Sequence, residues 1–527
     1  RGMRRTVTDG SPFGGGCPMS RRRFLQGLGA GAAAMSLGGR GTLAFADGAE
    51  QDAFRTTFGR MFARLPSFAV PSPALTEALV DFARPGGFLD AKDDLAAGPI
   101  ELIVNPALSA NNPDNPTQTA GLTFLGQFMD HDLTFDMGSS LGVPTSPESA
   151  ANGRTPRLDL DSVYGAGPTE SPELYDPSDG ARLLVESGGS YEDLPRRQDM
   201  SAVLGDRRND ENLVIAGLHA AFLKFHNQAL RTVRGRRRPT AGDFEQARRL
   251  TTWHYQWIVV HQVLPAFVGQ PLVDDILRNG RRHFRPQAGA FVPVEFQGAA
   301  YRFGHSMVRP SYRANLAGNA NGDPFFAFLF DPTLGPSVDP DDLVGGARAA
   351  RRFVGWQTFF DFGDGTVRPN KRIDTRLSSP LFNLPLSAIA SGDQPTVLPQ
   401  RTLLRHVTWS LPWGQDVARR MGVTPLPAAD LSELSGYGLG LDTSTPLFHY
   451  VLKEAELLED GLRLGPVGGR IVAEVFIGLL QLDPGAYLNA RPRWRPTLPT
   501  RSGSVTGQFN MVDFLTFAGV DPATRGQ

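Results

Sequence analysis

Between Leu122 and Leu133 an apolar series, Leu122, Phe124, Leu125, Phe128, Met129 and Leu133, is interrupted by Gln127, Asp130 and His131. On a helix, residues three and four apart share a face, so this amide, carboxylate and imidazole project together. Asp132 turns away from them by roughly 100°. The surroundings of this polar face are too apolar for ordinary solvent surface. Two readings follow: a helix end whose His and Asp side chains reach water, or a buried catalytic histidine beside a carboxylate. The second obliges the remaining chain to supply the facing wall of an internal polar site.

Three later segments carry side chains suited to that wall. Thr155, Arg157, Asp159 and Asp161 alternate in an extended segment and fall on one side of it. Extended backbone offers carbonyls and carboxylates together, as the six to eight oxygens around calcium require; the alternative is a solvated acidic loop. Residues 205–212 open a helix, capped by Asp206 or Asn209, on which Val214, Leu218, Phe222, Phe225 and Ala229 form one apolar stripe. Arg208 and Glu211 are three apart, so both can look into one cavity from the first turn, or form a plain surface ion pair. Residues 244–268 predict a further apolar helix. Its His254 and His261, like His219, His226, His283, His406 and His449, read as satisfied core histidines.

The order of these segments, with Ala300–Val308 around His305, resembles the animal-type haem peroxidase superfamily of myeloperoxidase, peroxinectins and cyclooxygenases. The resemblance runs over about residues 105–490. It implies a mainly α-helical fold, one large domain, with haem b between a distal helix carrying His131 and a proximal helix whose His305 ligates the iron. By the same resemblance His131 is the acid/base, Arg208 the charge stabiliser, and Gln127 lines the peroxide pocket. Asp130 and Glu211 would esterify the haem. Arg405 falls where the family places an arginine near a propionate. Thr402 stands where animal members use an asparagine to accept the proximal histidine's Nδ1–H, a bond that fixes tautomer and basicity. Asp132 with Thr155, the Arg157 carbonyl, Asp159 and Asp161 would bind Ca²⁺. Asn212 replaces the methionine that myeloperoxidase links to its haem, so no sulfonium bond is implied.

The implied reaction is peroxide-dependent oxidation of an organic donor or a halide or pseudohalide. A fatty-acid dioxygenase of the cyclooxygenase type would need a tyrosine three residues before His305; that position is Arg302, although Tyr301 adjoins it. A peroxinectin-like adhesion or matrix protein would tolerate loss of His131 or Arg208, and both are present.

Length and charge set the remaining bounds. A chain of 527 residues suggests several domains, yet one site spread from Gln127 to Arg405 demands a single one, expected over 47–527. A formal net charge of −1 gives no reason to expect nucleic acid. Residues 1–46 read as an export leader: Arg21, Arg22 and Arg23 before Phe24 and Leu25, a mildly apolar run from Gly27 to Gly38, and Ala44-Phe45-Ala46 as the cleavage pattern. That run is too short to span a bilayer, so the mature protein is expected in the periplasm or outside the cell. The single cysteine, Cys17, would leave with the leader, so core packing, ions or a cofactor must hold the exported chain without disulfides.

Overall fold

Aromatic side chains spaced at helical intervals decide how the central layers meet. In the computed structural model, which describes residues 54–527 apart from 288 and 336, the helices of eight or more residues are α1 Pro73–Phe82, α2 Gly121–Leu133, α3 Leu213–Arg234, α4 Asp243–Ile258, α5 Gln270–Asn279, α6 Leu398–Thr408, α7 Gly414–Met421, α8 Leu447–Glu459, α9 Pro466–Leu482 and α10 Met511–Ala518. The fold is mainly α, as the sequence predicts. Residues Ala49–Gln527 cluster as one compact unit.

The predicted stripe of α3 is buried along its length. Phe222 stacks on Phe128 of α2 at 4.4 Å, and Phe225 stacks on Phe514 of α10 at 4.2 Å, both nearly parallel. Each such pair adds roughly 0.5–1.5 kcal/mol beyond its burial, so α2, α3 and α10 are fixed face to face. Helix α4 also packs on α3, with Tyr255 edge-on to both Phe222 and Phe128. Helices α8 and α9 pack on each other and both touch the turn before His305.

Among the described residues strands are few and short: four antiparallel pairs, Asp114–Thr119 with Pro369–Lys371, Tyr175–Asp176 with Asp179–Leu183, Glu186–Ser187 with Glu192–Asp193, and Ser311–Asn315 with Phe325–Phe328. The first pair delivers the chain into α2, where Thr123 Oγ1 donates to Asn370 Oδ1 at 2.7 Å.

The helix expected over 244–268 is present from Asp243 to Val268, widened into a π turn over Val259–Val263. Pro265 explains the widening: it has no N–H to donate, and its ring crowds the carbonyl four residues back. Two local expectations are corrected. Residues 205–212 do not open α3. Asp206 caps a separate 3-10 turn, Arg207–Asp210, and Asn212 caps α3 by accepting from Val214 N and Ile215 N. The 155–161 segment is no extended strand. It bends repeatedly, Leu160 adopts φ +62°, and a helical turn starts at Asp161.

Candidate active site

Helix α2, the 207–210 turn and the 300–307 segment border one cavity of about 700 Å³. It is lined by Gln127, Asp130, His131, Arg208, Glu211, Arg302, His305 and Arg405 together with apolar side chains. Side chains drawn from 127 to 405 in sequence thus meet in one space. Its volume lies in the range of a substantial ligand site.

His131 is buried, and its Nδ1 lies 2.9 Å from Asn209 Oδ1. The Asn209 amide nitrogen lies 3.0 Å from His219 Nδ1. These bonds form a consistent relay: the amide N–H donates to His219, so its oxygen accepts the His131 Nδ1–H, and His131 Nε2 carries a lone pair. Burial and then the Arg208 charge push His131 down to about 4. Glu211 is pushed up to about 8, mainly by burial, against the pull of Arg208. Their 3.9 Å contact therefore joins two neutral groups near pH 7 and is no ion pair. Gln127 Nε2 donates to Glu211 Oε2 at 3.1 Å, and Asn212 donates to Gln127 Oε1 at 3.3 Å.

Arg208 does not pair with Glu211. Its Nε and Nη2 donate to Asp206 at 3.0 and 2.7 Å, and Nη2 also reaches the His131 and Thr134 carbonyls at 3.1 and 2.6 Å. Burial works against its charge, but Asp206 more than restores it. Nη1 takes no part in these bonds. The turn carrying Arg208 is fixed from behind by Gly345, whose backbone N–H donates to Glu211 O; a Cβ at 345 would fall 1.6 Å from Asp210 O.

His305 sits on a single helical turn, Gly304–Met307, preceded by the 3-10 turn Ala300–Phe303. So short a segment needs outside support. Ser306 Oγ donates to the Asp374 carbonyl at 2.7 Å and accepts the Asp374 N–H at 2.9 Å, while buried Lys371 pairs with the Asp374 carboxylate at 2.6 Å. Thr402 Oγ1 donates to Leu398 O and lies 3.3 Å from His305 Nδ1, placed to accept from it. Burial and then Arg302 push His305 down to about 3, leaving the other ring nitrogen as a neutral donor of electrons. Arg302 gives Nε–H to the Gln297 carbonyl at 2.7 Å and has no ion-pair partner among the described residues. Arg405 pairs with Asp136 at 2.6 Å; burial raises that carboxyl, but Arg405 and Ser139 hold it below its ordinary value. Tyr301 lies on the cavity wall, stacked on Phe296, with its hydroxyl donating to Gly126 O at 3.0 Å.

On the far side of α2, one oxygen each from Asp132, Asp159 and Asp161 lies within 4.8 Å of the others. Leu160 N and Ser162 Oγ donate to Asp132 at 3.2 and 3.1 Å; Thr155 donates through its hydroxyl to Asp159 and through its backbone to Asp161. Burial and mutual repulsion raise Asp132, and likewise push Asp161 to about 7. Asp159 is raised by burial. The Arg157 side chain lies over the Phe54 ring.

The sequence reading missed Asn209 as a partner of His131, Asp206 as the holder of Arg208, and the Lys371–Asp374 pair. His219 is the buried, satisfied histidine expected, its partner being the Asn209 amide. Two others are not core residues: His283 is half-buried, and His261 is exposed, stacked on Trp257 with its Nε2 3.1 Å from the Tyr487 hydroxyl. Asp206 was legible only as a cap, which it also is. Lys371 and Asp374 stand three apart in a segment with no helical pattern to pair them, and the Asn209–His131 pairing had no local sequence signal.

A family model described as animal haem peroxidase matches residues 139–326, which include the 155–161 loop, Arg208, Glu211 and His305. A model of the twin-arginine translocation signal matches residues 18–38, a stretch outside the described residues. The human probable oxidoreductase PXDNL is 29% identical over 204 residues, 34% of this chain and 14% of that protein. Rat thyroid peroxidase is 24% identical over 233 residues, 40% of this chain and 25% of that protein. The chain thus spans a quarter or less of the length of these curated relatives. Among solved structures, peroxidase A from Dictyostelium discoideum superposes with a TM-score of 0.55 at 14% identity, over 87% of this chain and 93% of that one. A fatty acid alpha-dioxygenase from Arabidopsis thaliana gives 0.56 at 14% identity, over 83% and 74%. At that identity the two structures establish the shared helical fold alone. The family model covers the 207–211 and 300–308 parts of the cavity wall, so residues 139–326 of this chain are similar to an animal haem peroxidase domain.

Proposed function

We propose that this chain is an exported haem peroxidase that reduces hydrogen peroxide at the expense of a small organic donor or a halide or pseudohalide. The observation that carries the proposal is the relay behind His131: a buried imidazole whose Nδ1–H is committed to Asn209 leaves Nε2 as a base in the cavity that His305 also lines.

The cavity fits haem b on its own terms. It offers histidines on two separate walls, a largely apolar lining, and in Arg302 a cation lacking a carboxylate partner among the described residues, suited to a propionate; Arg405 is a second cation for the same role. His305 would ligate the iron, with Thr402 accepting its Nδ1–H. Bound there, haem supplies a redox-active iron that passes two electrons to peroxide and recovers them from donors.

The protein supplies proton movement and charge. His131 Nε2 takes a proton from one peroxide oxygen and returns it to the other as water departs, which is general base followed by general acid catalysis. Arg208, through Nη1, opposes the negative charge that develops as the O–O bond breaks. Each peroxide becomes two waters, with two electrons and two protons drawn from donors. Gln127 lines the same wall. Asp130 and Glu211, both on the cavity lining, would form ester links to haem, and Asn212 leaves no methionine for a sulfonium link.

The Asp132, Asp159 and Asp161 cluster, with Thr155 and the Arg157 carbonyl, fits Ca²⁺ because every donor is a hard oxygen. A bound cation would relieve the repulsion among these buried carboxylates. Since Asp132 follows His131, the ion would hold the catalytic helix in place. We further assign residues 1–46 to a cleaved leader and 47–527 to the domain, which is consistent with the twin-arginine match. No helix of the described residues is long and apolar enough to cross a membrane.

His131→Ala and Arg208→Ala test the assignment. Acid–base catalysis contributes about 10²–10⁴-fold, and an oxyanion donor about 10²–10³-fold. Each variant should therefore slow the peroxide-induced change in haem absorbance at least about 100-fold, without the two losses adding. Parent rates in both variants, or Tyr301-dependent oxygen uptake with linoleate, would show the reading to be wrong.

A further inference from the structure

A second cavity, about 470 Å³, adjoins the first and shares with it Arg207, Arg208, Glu211, Ile389, Ala390 and Ser391. The two therefore meet along one common wall, the second lying against the inner chamber as an outer vestibule. The vestibule is further walled by Leu204 and Leu386, which with Ile389 and Ala390 give it apolar surface. Leu386 is 53% exposed, a large apolar side chain left at the opening.

The charge at this doorway is one-sided. Arg207 is exposed and, among the described residues, forms no ion pair or side-chain hydrogen bond. Its acidic neighbours are already engaged. Asp206 holds Arg208 at 2.7 Å; Asp210 is held by both terminal nitrogens of Arg196 at 2.7 and 2.9 Å. Glu211 faces inward to Gln127. A free guanidinium beside an apolar wall suits a flat organic anion, because its planar fork pairs with a carboxylate in two-point fashion while the ring covers apolar surface.

We propose that the vestibule is a donor site for phenolic carboxylates, with Arg207 contacting the carboxylate. This rests on the peroxidase reading given above. Each phenol would give up one electron to the oxidised enzyme and one proton to water, leaving a phenoxyl radical, so two donors are consumed per peroxide. The positive vestibule would also attract such anions from solution, an effect that salt weakens.

Ferulate and its neutral methyl ester share the same phenol and differ in charge, so they isolate the role of Arg207. In the holoenzyme, Arg207→Gln should reduce the preference for ferulate over methyl ferulate, as a ratio of kcat/KM, by roughly 10-fold, the worth of one charge-assisted hydrogen bond. Arg207→Glu should reduce it further. Titration calorimetry without peroxide should show ferulate affinity falling by a similar factor, and 0.5 M NaCl should weaken ferulate binding to the parent more than to Arg207→Gln. Equal effects on both donors, unchanged ferulate binding, or loss of haem from Arg207→Gln would overturn the proposal, the last by assigning Arg207 to a propionate. Arg207-dependent ferulate binding without peroxide-dependent turnover of either donor would uphold the binding site and reject the peroxidase reading.

Discussion

Replacing Asn209 by alanine probes the base at its least obvious support. The substitution deletes two buried bonds at once, 2.9 Å to His131 and 3.0 Å to His219, and it touches neither peroxide nor haem. In the parent, the Nδ1–H tautomer of His131 is held by an acceptor that has no other orientation, because His219 fixes the amide. Without Asn209 that N–H is buried and unsatisfied, at a cost of about 1–3 kcal/mol. The Nε2–H tautomer escapes the cost by turning its proton into the cavity. The balance thus shifts by roughly 5- to 150-fold, at about 1.4 kcal/mol per factor of ten, toward the form that cannot accept a proton from peroxide. The peroxide step in Asn209→Ala should accordingly slow by about 10- to 100-fold, with donor KM little changed. His219→Leu should give a smaller loss, since it frees the amide to flip, and the double variant should be no worse than Asn209→Ala alone. Stopped-flow mixing reads the rate, and nitrogen-15 NMR of the imidazoles in haem-free protein reads the tautomer independently of turnover. A parent rate together with an unchanged Nδ1–H signal in Asn209→Ala would refute the relay.

Three other outcomes are expected. Asp132→Ala, or prolonged chelation, should remove one Ca²⁺ per chain by elemental analysis and slow the peroxide step as well; unchanged metal content and rate would count against the site. After peroxide turnover, acid–acetone should leave haem on the parent protein and extract it from the Asp130→Asn/Glu211→Gln double variant, so complete extraction from the parent would dispose of the ester links. Burial alone would raise Asp206, but the Arg208 guanidinium beside it holds its carboxyl well below the ordinary carboxylate range. A depressed folded value stabilises fully above about pH 4 and loses that contribution as pH falls further. Asp206→Asn should therefore lower denaturant stability at pH 7 and cost progressively less below pH 4; an equal loss at pH 7 and pH 3 would contradict the ion pair.

What the sequence determined by itself was whatever depends on period. Gln127, Asp130 and His131 meet because three and four residues make one helical face, and the stripe from Val214 to Ala229 is buried because its apolar positions repeat at 3.6. Arg208, Glu211, His305, Arg302 and Arg405 were legible as types in order along the chain, and the structure brings them to one cavity. Local backbone rules proved weaker. Alternation at 155–161 mimicked a strand, yet three carboxylates around one point force a bent loop with Leu160 in left-handed backbone. Asp206 and Asn209 were the caps the sequence suggested for α3; the intervening 3-10 turn gave that cap to Asn212, left Asp206 capping the turn and freed Asn209 for a histidine 78 residues away. The tautomer of His131, the anchoring of Arg208 by Asp206, the bracing of the His305 turn through Ser306 and Asp374, and the charge of Arg207, unpaired among the described residues, likewise belong to the tertiary structure. A hydrogen bond or ion pair across distant segments leaves no periodic trace in either partner, and exists only once packing has excluded water and fixed both ends.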